Sequence, residues 1–119
     1  MPAVLLPIAD GTEELEAISI VNPLRRAGCD VTIASIKDDL TCKCAQGTTI
    51  IADKLFSEVK DGEYDLVVLP GGGDGANAMR DCASLVELLK ARKAAGKLIA
   101  AICASPAVNK YSFDNRSFL

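Results

Sequence analysis

The sequence predicts an α/β domain built on a parallel β-sheet with helices on both faces. Three observations carry this. Short apolar runs suited to buried parallel strands recur at Ala3–Ile8, Val31–Ile36, Leu66–Leu69 and Leu98–Ile102. Helix-like segments separate most of them, which implies right-handed crossovers and parallel strands. Half of the 119 residues are hydrophobic, yet there are only three Phe, two Tyr and no Trp, so the core must be aliphatic.

The elements follow in order. Ala3–Ile8 is a first strand, and Asp10-Gly11-Thr12 a turn and helix cap. A helix runs from about Glu13 to Ala27 and is stopped by Gly28. Pro23 lies inside it, so either the helix kinks there or Asn22 caps a second short helix with Pro23 in its first turn. Val31–Ile36 is a second strand. Lys37–Gly47 is polar and loop-like, Thr48–Ala52 is a short β segment, and Lys54–Val59 suits a short helix. Leu66–Leu69 is a third core strand that ends at Pro70-Gly71-Gly72-Gly73. Ala83–Ala95 is a helix with Leu85, Leu88 and Leu89 on one side and Gly96 at its end. Leu98–Ile102 is the fourth core strand. The tail from Asn109 to Leu119 has no clear period, so residues 1–108 are expected to form the domain and 109–119 a divergent tail. The domain looks interrupted, with C-terminal elements missing.

Charge and cysteine content narrow the function. Net charge is −3, and no basic cluster exceeds Arg25-Arg26, which disfavours nucleic-acid binding. No apolar stretch reaches the ~18 residues of a membrane span. The N-terminus lacks the basic flank and cleavage site of a signal peptide. Five cysteines without a secretory signal are expected to be reduced thiols in the cytoplasm. The absence of histidine excludes a Cys-His dyad within the chain. It also makes a zinc site poor, and Cys42-x-Cys44 is read as two loop thiols.

In a parallel sheet, ligands sit at the carboxyl ends of the strands. Three loops meet that description: Ala9–Thr12, Pro70–Asn77 and Cys103–Pro106. In the last, an apolar run stops at Cys103, small residues follow, and Pro106 suits the first turn of a helix. A sharp strand-to-helix turn would hold Cys103 over a helix N-terminus, whose partial positive charge favours a thiolate. Burial as a small core residue is the plainer alternative for a free cysteine. Glu13, Glu14 and Glu16 all suit the first helical turns, where acids complement the dipole. Glu16 differs because Ile20, Leu24 and Ala27 follow it on the same stripe. A carboxyl facing the sheet tends to stay protonated, and could donate a hydrogen bond or shuttle a proton. Gly71-Gly72-Gly73-Asp74-Gly75-Ala76 contains G-x-G-x-x-A, but the next strand ends in Cys103 where a ribose-binding acid would be needed. The glycines instead suit an oxyanion hole of backbone amides.

Four motifs together resemble the ThiJ/PfpI superfamily, in its Parkinsonism-associated deglycase branch. They are Ala9-Asp10-Gly11-Thr12-Glu13-Glu14-Leu15-Glu16, Leu24-Arg25-Arg26-Ala27-Gly28, Tyr64-Asp65-Leu66-Val67-Val68-Leu69-Pro70-Gly71-Gly72 and Ala100-Ala101-Ile102-Cys103-Ala104-Ser105-Pro106. The resemblance runs from about Val4 to Ala107. It implies a flavodoxin-like fold, a homodimer, and no metal or organic cofactor. It makes Cys103 the nucleophilic, oxidation-sensitive cysteine, Glu16 the acid that hydrogen-bonds it, and the amides of Gly72 and Ala104 the oxyanion hole. The implied activity is a glyoxalase or deglycase acting on methylglyoxal or early glycation adducts, with protection from oxidative stress. Two alternatives are a redox sensor or chaperone in which Cys103 becomes a sulfinate held by Glu16, and an inactive truncated form. A cysteine amidotransferase or protease would need a histidine from a partner. Relatives continue past the cysteine helix with further elements, commonly including a histidine near the cysteine, and their first helix is usually not interrupted by a proline.

Overall fold

A computed structural model describes residues 1–102. Eleven elements follow one another: β1 (Ala3–Ile8), α1 (Glu14–Arg26), β2 (Asp30–Ser35), β3 (Thr41–Lys43), β4 (Thr49–Ile51), β5 (Lys54–Leu55), α2 (Phe56–Val59), β6 (Leu66–Leu69), α3 (Gly73–Arg80), α4 (Ala83–Ala94) and β7 (Leu98–Ala101). Five strands form one parallel sheet in the order β5-β2-β1-β6-β7. The strands β3 and β4 form a separate antiparallel hairpin, with Cys42 opposite Ile50.

The side-chain period of two splits the core between the sheet's faces. Val4, Leu6 and Ile8 of β1 pack with Val31, Ile33 and Val68 beneath Ala17 and Val21 of α1. Leu5, Ala34, Val67 and Leu69 pack on the other face with Phe56 of α2, Ala76 and Met79 of α3, and Leu85 and Leu89 of α4. Both faces are therefore covered, as the predominantly apolar runs require. Among the described residues, no helix is long and apolar enough to cross a membrane.

Gly28 ends α1 as expected. Its φ is +90°, its N–H donates to Arg25 O, and the Cys29 N–H donates to Leu24 O, both at 3.0 Å. This pair of bonds satisfies carbonyls that the last turn would leave open. The same pair closes α4, from Gly96 to Lys93 and from Lys97 to Arg92.

Several elements depart from the sequence reading. Pro23 neither ends α1 nor starts a second helix, because one helix spans Glu14–Arg26. Its missing N–H leaves the Ser19 carbonyl without a helical partner, but both residues are exposed and solvent can reach that carbonyl. The glycine-rich stretch is not wholly loop, because α3 starts at Gly73. Poor helix propensity hid it. The polar segment Lys37–Gly47 holds β3, too short to show a period. Lys54–Val59 splits into two residues of edge strand and a single helical turn. The helix cap is Glu13, which accepts from the Leu15 N–H at 2.9 Å, whereas Thr12 Oγ1 accepts from the Ala9 N–H.

Among the described residues, one charged side chain lies in the core. Arg92 is 4% exposed. Its guanidinium donates twice to Leu98 O, at 3.1 and 2.7 Å, and once to Tyr64 O at 2.9 Å. It thereby ties the amino ends of β6 and β7 to α4, and burial pulls its pKa below the ordinary arginine value. Replacing it removes the donor from two part-buried carbonyls. Arg92→Ala is expected to destabilise the chain by about 2–4 kcal/mol in urea unfolding, and exposed Lys90→Ala by less than about 0.5 kcal/mol.

Candidate active site at the carboxyl edge of the sheet

β1 and β6 are neighbours, and the chain leaves them in opposite senses across the sheet: first to β2 and β5, later to β7. The crevice between their carboxyl ends is thus the switch point of the topology, where parallel sheets bind ligands. Two of the three loops singled out in the sequence meet there.

The turn after β1 is internally fixed. Thr12 is fully buried, its N–H donates to Ala9 O at 3.2 Å, and its hydroxyl oxygen accepts from the Ala9 N–H at 2.9 Å. The turn after β6 packs directly against it. The Glu13 N–H donates to Gly71 O at 3.0 Å, and the Gly71 N–H donates to Glu16 Oε1 at 2.9 Å. Both polar groups of the Gly71 backbone are therefore held by the start of α1. Gly72 follows with φ +96°. A β-carbon there would collide with Gly11 O and come within 2.6 Å of the Glu13 nitrogen, so only glycine fits. A β-carbon at Gly75 would meet the Thr12 backbone at 2.7 Å, so the lack of a side chain lets α3 lie close against the first turn.

Glu16 therefore sits beside the Gly71-Gly72 segment, half-buried, with one oxygen accepting a backbone hydrogen bond. The strand β7 reaches the same edge, since Ala101 pairs with Leu69 and the Ile102 N–H donates to Leu69 O at 3.2 Å. Cys103, Ala104, the loop Cys103–Pro106 and the tail 109–119 lie outside the described residues.

Sequence reasoning missed two features of this edge. One is Glu14, whose carboxylate accepts from the Gln46 and Thr48 amides more than thirty residues away. The other is an ion cluster. Asp10 Oδ1 accepts from the Lys43 N–H at 3.0 Å and from Lys37 Nζ at 3.1 Å. The Lys43 amide first, and Lys37 with it, hold the Asp10 carboxyl below the usual aspartate range. Neither contact has a local pattern that would reveal it.

The reading of Cys42 and Cys44 as loop thiols holds for Cys44, which follows β3, whereas Cys42 lies within that strand. Cys42 is buried in the core beneath α1, and its thiol donates to Ser35 Oγ at 3.5 Å. Burial raises its pKa. Cys44 is also buried, and burial, then the nearby Glu14 charge, push its pKa up to about 11.

The sequence pattern of the DJ-1/PfpI family matches residues 2–109. The chain belongs to the DJ-1/PfpI family. Protein DJ-1 homolog A of Arabidopsis thaliana is 44% identical over 105 residues, covering 88% of this chain and 27% of that protein. The glutathione-independent glyoxalase DJR-1.2 of Caenorhabditis elegans is 38% identical over 105 residues, covering 88% of this chain and 55% of that protein. Among solved structures, oxidized Toxoplasma gondii DJ-1 superposes with a TM-score of 0.90 at 48% identity, covering 93% of this chain and 61% of that one. The fold is thus the DJ-1 type of flavodoxin-like sheet. The chain spans between about a quarter and three fifths of the length of these relatives.

Within this DJ-1/PfpI chain, the two hairpin thiols are predicted to be inert. Thiolates, not thiols, react with iodoacetamide. At pH 8, Cys42 and Cys44 are expected to alkylate at least about a hundredfold more slowly in the native chain than in urea, by peptide mass mapping. Equal rates in both conditions would contradict their burial.

Proposed function

We propose that this carboxyl edge is the site of a cysteine-dependent, cofactor-independent glyoxalase or deglycase acting on methylglyoxal or early glycation adducts. The observation that carries this reading is the Glu16 carboxyl on the Gly71 N–H, next to the end of the strand that leads into Cys103. The resemblance of the chain to a protein named as a glutathione-independent glyoxalase supports it. A reducing cytoplasm suits this chemistry, because the thiol must stay free.

The proposed steps balance without a cofactor. The Cys103 thiolate attacks the aldehyde carbon of methylglyoxal, and the new alkoxide takes up a proton to give a hemithioacetal. Glu16, through Oε2, takes the proton from that carbon and returns it to the neighbouring carbon through an enediol. This leaves a thioester at the first carbon and a hydroxyl at the second. Water then releases lactate and the thiol. The amides of Gly72 and Ala104 stabilise the negative oxygen at each stage. A family homodimer is proposed as well, with the exposed apolar Leu15 (72%), Ile18 (45%) and Ile51 (70%) as its contact. Sedimentation velocity of the wild-type chain and of Ile18→Glu tests it, and a wild-type monomer at micromolar concentration would refute it.

A second reading has one specific support: the Toxoplasma relative was solved in an oxidized form. In it, peroxide oxidises Cys103 to a sulfinate that Glu16 stabilises, without turnover. Lactate production from methylglyoxal separates the two. The catalytic reading expects turnover that falls at least about a hundredfold in Cys103→Ser and in Glu16→Ala, each still showing a cooperative melt. A folded wild-type chain that makes no lactate, yet gains two oxygens at Cys103 under peroxide, would favour the sensor.

A further inference from the structure

The β3–β4 hairpin has no part in the chemistry above, yet it runs along the turn that leads into α1. Backbone bonds join them. The Gly11 N–H donates to Lys43 O at 2.9 Å, and the Ala45 N–H donates to Thr12 O at 2.8 Å. The one charged side chain of α1 that joins them is Glu14. Its Oε1 and Oε2 accept from the Gln46 N–H at 3.0 and 3.1 Å, and Oε2 also accepts from the Thr48 N–H at 3.1 Å. These bonds close loops of 32 and 34 residues. Hydrogen bonds to an ionised carboxylate are roughly twice as strong as neutral ones. Burial works to raise the Glu14 pKa, but its own N–H and those of Gln46 and Thr48 outweigh it and keep the group ionised.

Position gives this anchor its meaning. Glu14 lies between the two residues that grip Gly71, Glu13 through its N–H and Glu16 through its carboxylate. A rotation or slide of the first turn of α1 would move both grips together. The backbone bonds to the hairpin end at Thr12 and do not reach that turn. The Glu14 carboxylate does.

We propose that Glu14 is a positioning residue: seated on the Gln46 and Thr48 amides, it sets the first turn of α1 so that Glu13 and Glu16 hold the Gly71-Gly72 segment in place. The kinetic consequence rests on the glyoxalase reading of this edge, whereas the structural consequence does not. Loss of the anchor leaves the hairpin tied by its backbone bonds, so the sheet should keep its stability while the site loses precision.

The test compares the wild-type chain, Glu14→Ala and Glu14→Gln by amide hydrogen exchange, with kcat and KM for methylglyoxal measured in parallel. In Glu14→Ala the Gly71 amide is expected to exchange about tenfold faster, while amides inside β1 and β6 keep their wild-type rates. The kcat is expected to fall about tenfold or more with KM changed less than about twofold, as a misplaced catalytic group requires. Glu14→Gln keeps one acceptor oxygen and should lie between. Unchanged Gly71 exchange overturns the proposal. So does equal acceleration at Gly71 and in the sheet, which would make Glu14 a contributor to global stability only. If Glu14→Ala does not fold, Glu14→Gln is judged by the same two exchange criteria. If wild-type chain makes no lactate, the glyoxalase reading fails, and the exchange comparison still decides the role of Glu14.

Discussion

The contact between two turns at the switch point governs the rest of this structure. The turn after β1 and the turn after β6 share one edge of the sheet, and at Gly72 and Gly75 their backbones meet directly. That closeness needs glycine at 72 and 75, and a Thr12 whose hydroxyl is spent on its own turn. It also consumes both polar groups of the Gly71 backbone. A backbone whose donor and acceptor are both engaged has little freedom to tilt, so the Gly72 peptide that follows is fixed in direction. Preorganised amides stabilise a developing charge better than mobile ones, because no reorganisation is needed when the charge forms.

The sheet was legible because its signal is repeated. The four core strands are short, predominantly apolar runs, and the observed β1, β2, β6 and β7 lie within one residue of the expected limits at each end. The helix end at Gly28 was legible for a local reason, the left-handed residue that closes a helix. What failed was short or compositionally disguised. Three residues of β3 carry no period, and α3 begins in glycines that argue against a helix. Tertiary packing overrode propensity in both places.

The site was legible only in part, and the division has a physical basis. Glu16 stood out because helical phase is a local property, and its place on the apolar stripe brought it to the sheet edge. Its Oε1 accepts from the Gly71 N–H, and the contact expected with Cys103 lies outside the described residues. Glu14 looked interchangeable with Glu13 as a dipole-pleasing acid. Its partners lie more than thirty residues away, so nothing local marks it. The burial of Cys42 is hidden for the same reason, since polar neighbours in sequence say little about a hairpin folded onto the core.

Two kinds of force therefore divide the labour in this chain. Aliphatic burial on both faces of the sheet is strong but has no direction, and it fixes which strands meet rather than where a carboxylate points. Direction at the carboxyl edge comes from hydrogen bonds: Thr12 on Ala9, Glu13 and Glu16 on Gly71, and Asp10 and Glu14 on the hairpin. Most of these acceptors are carboxylates, whose bonds are the stronger kind. An edge assembled this way can be loosened without unfolding the sheet, because removing one directional bond exposes almost no apolar surface. The hairpin is thus best understood as a brace. It adds few buried residues of its own, Cys42 and Cys44 chief among them, and it spends its backbone amides on the turn that holds the site.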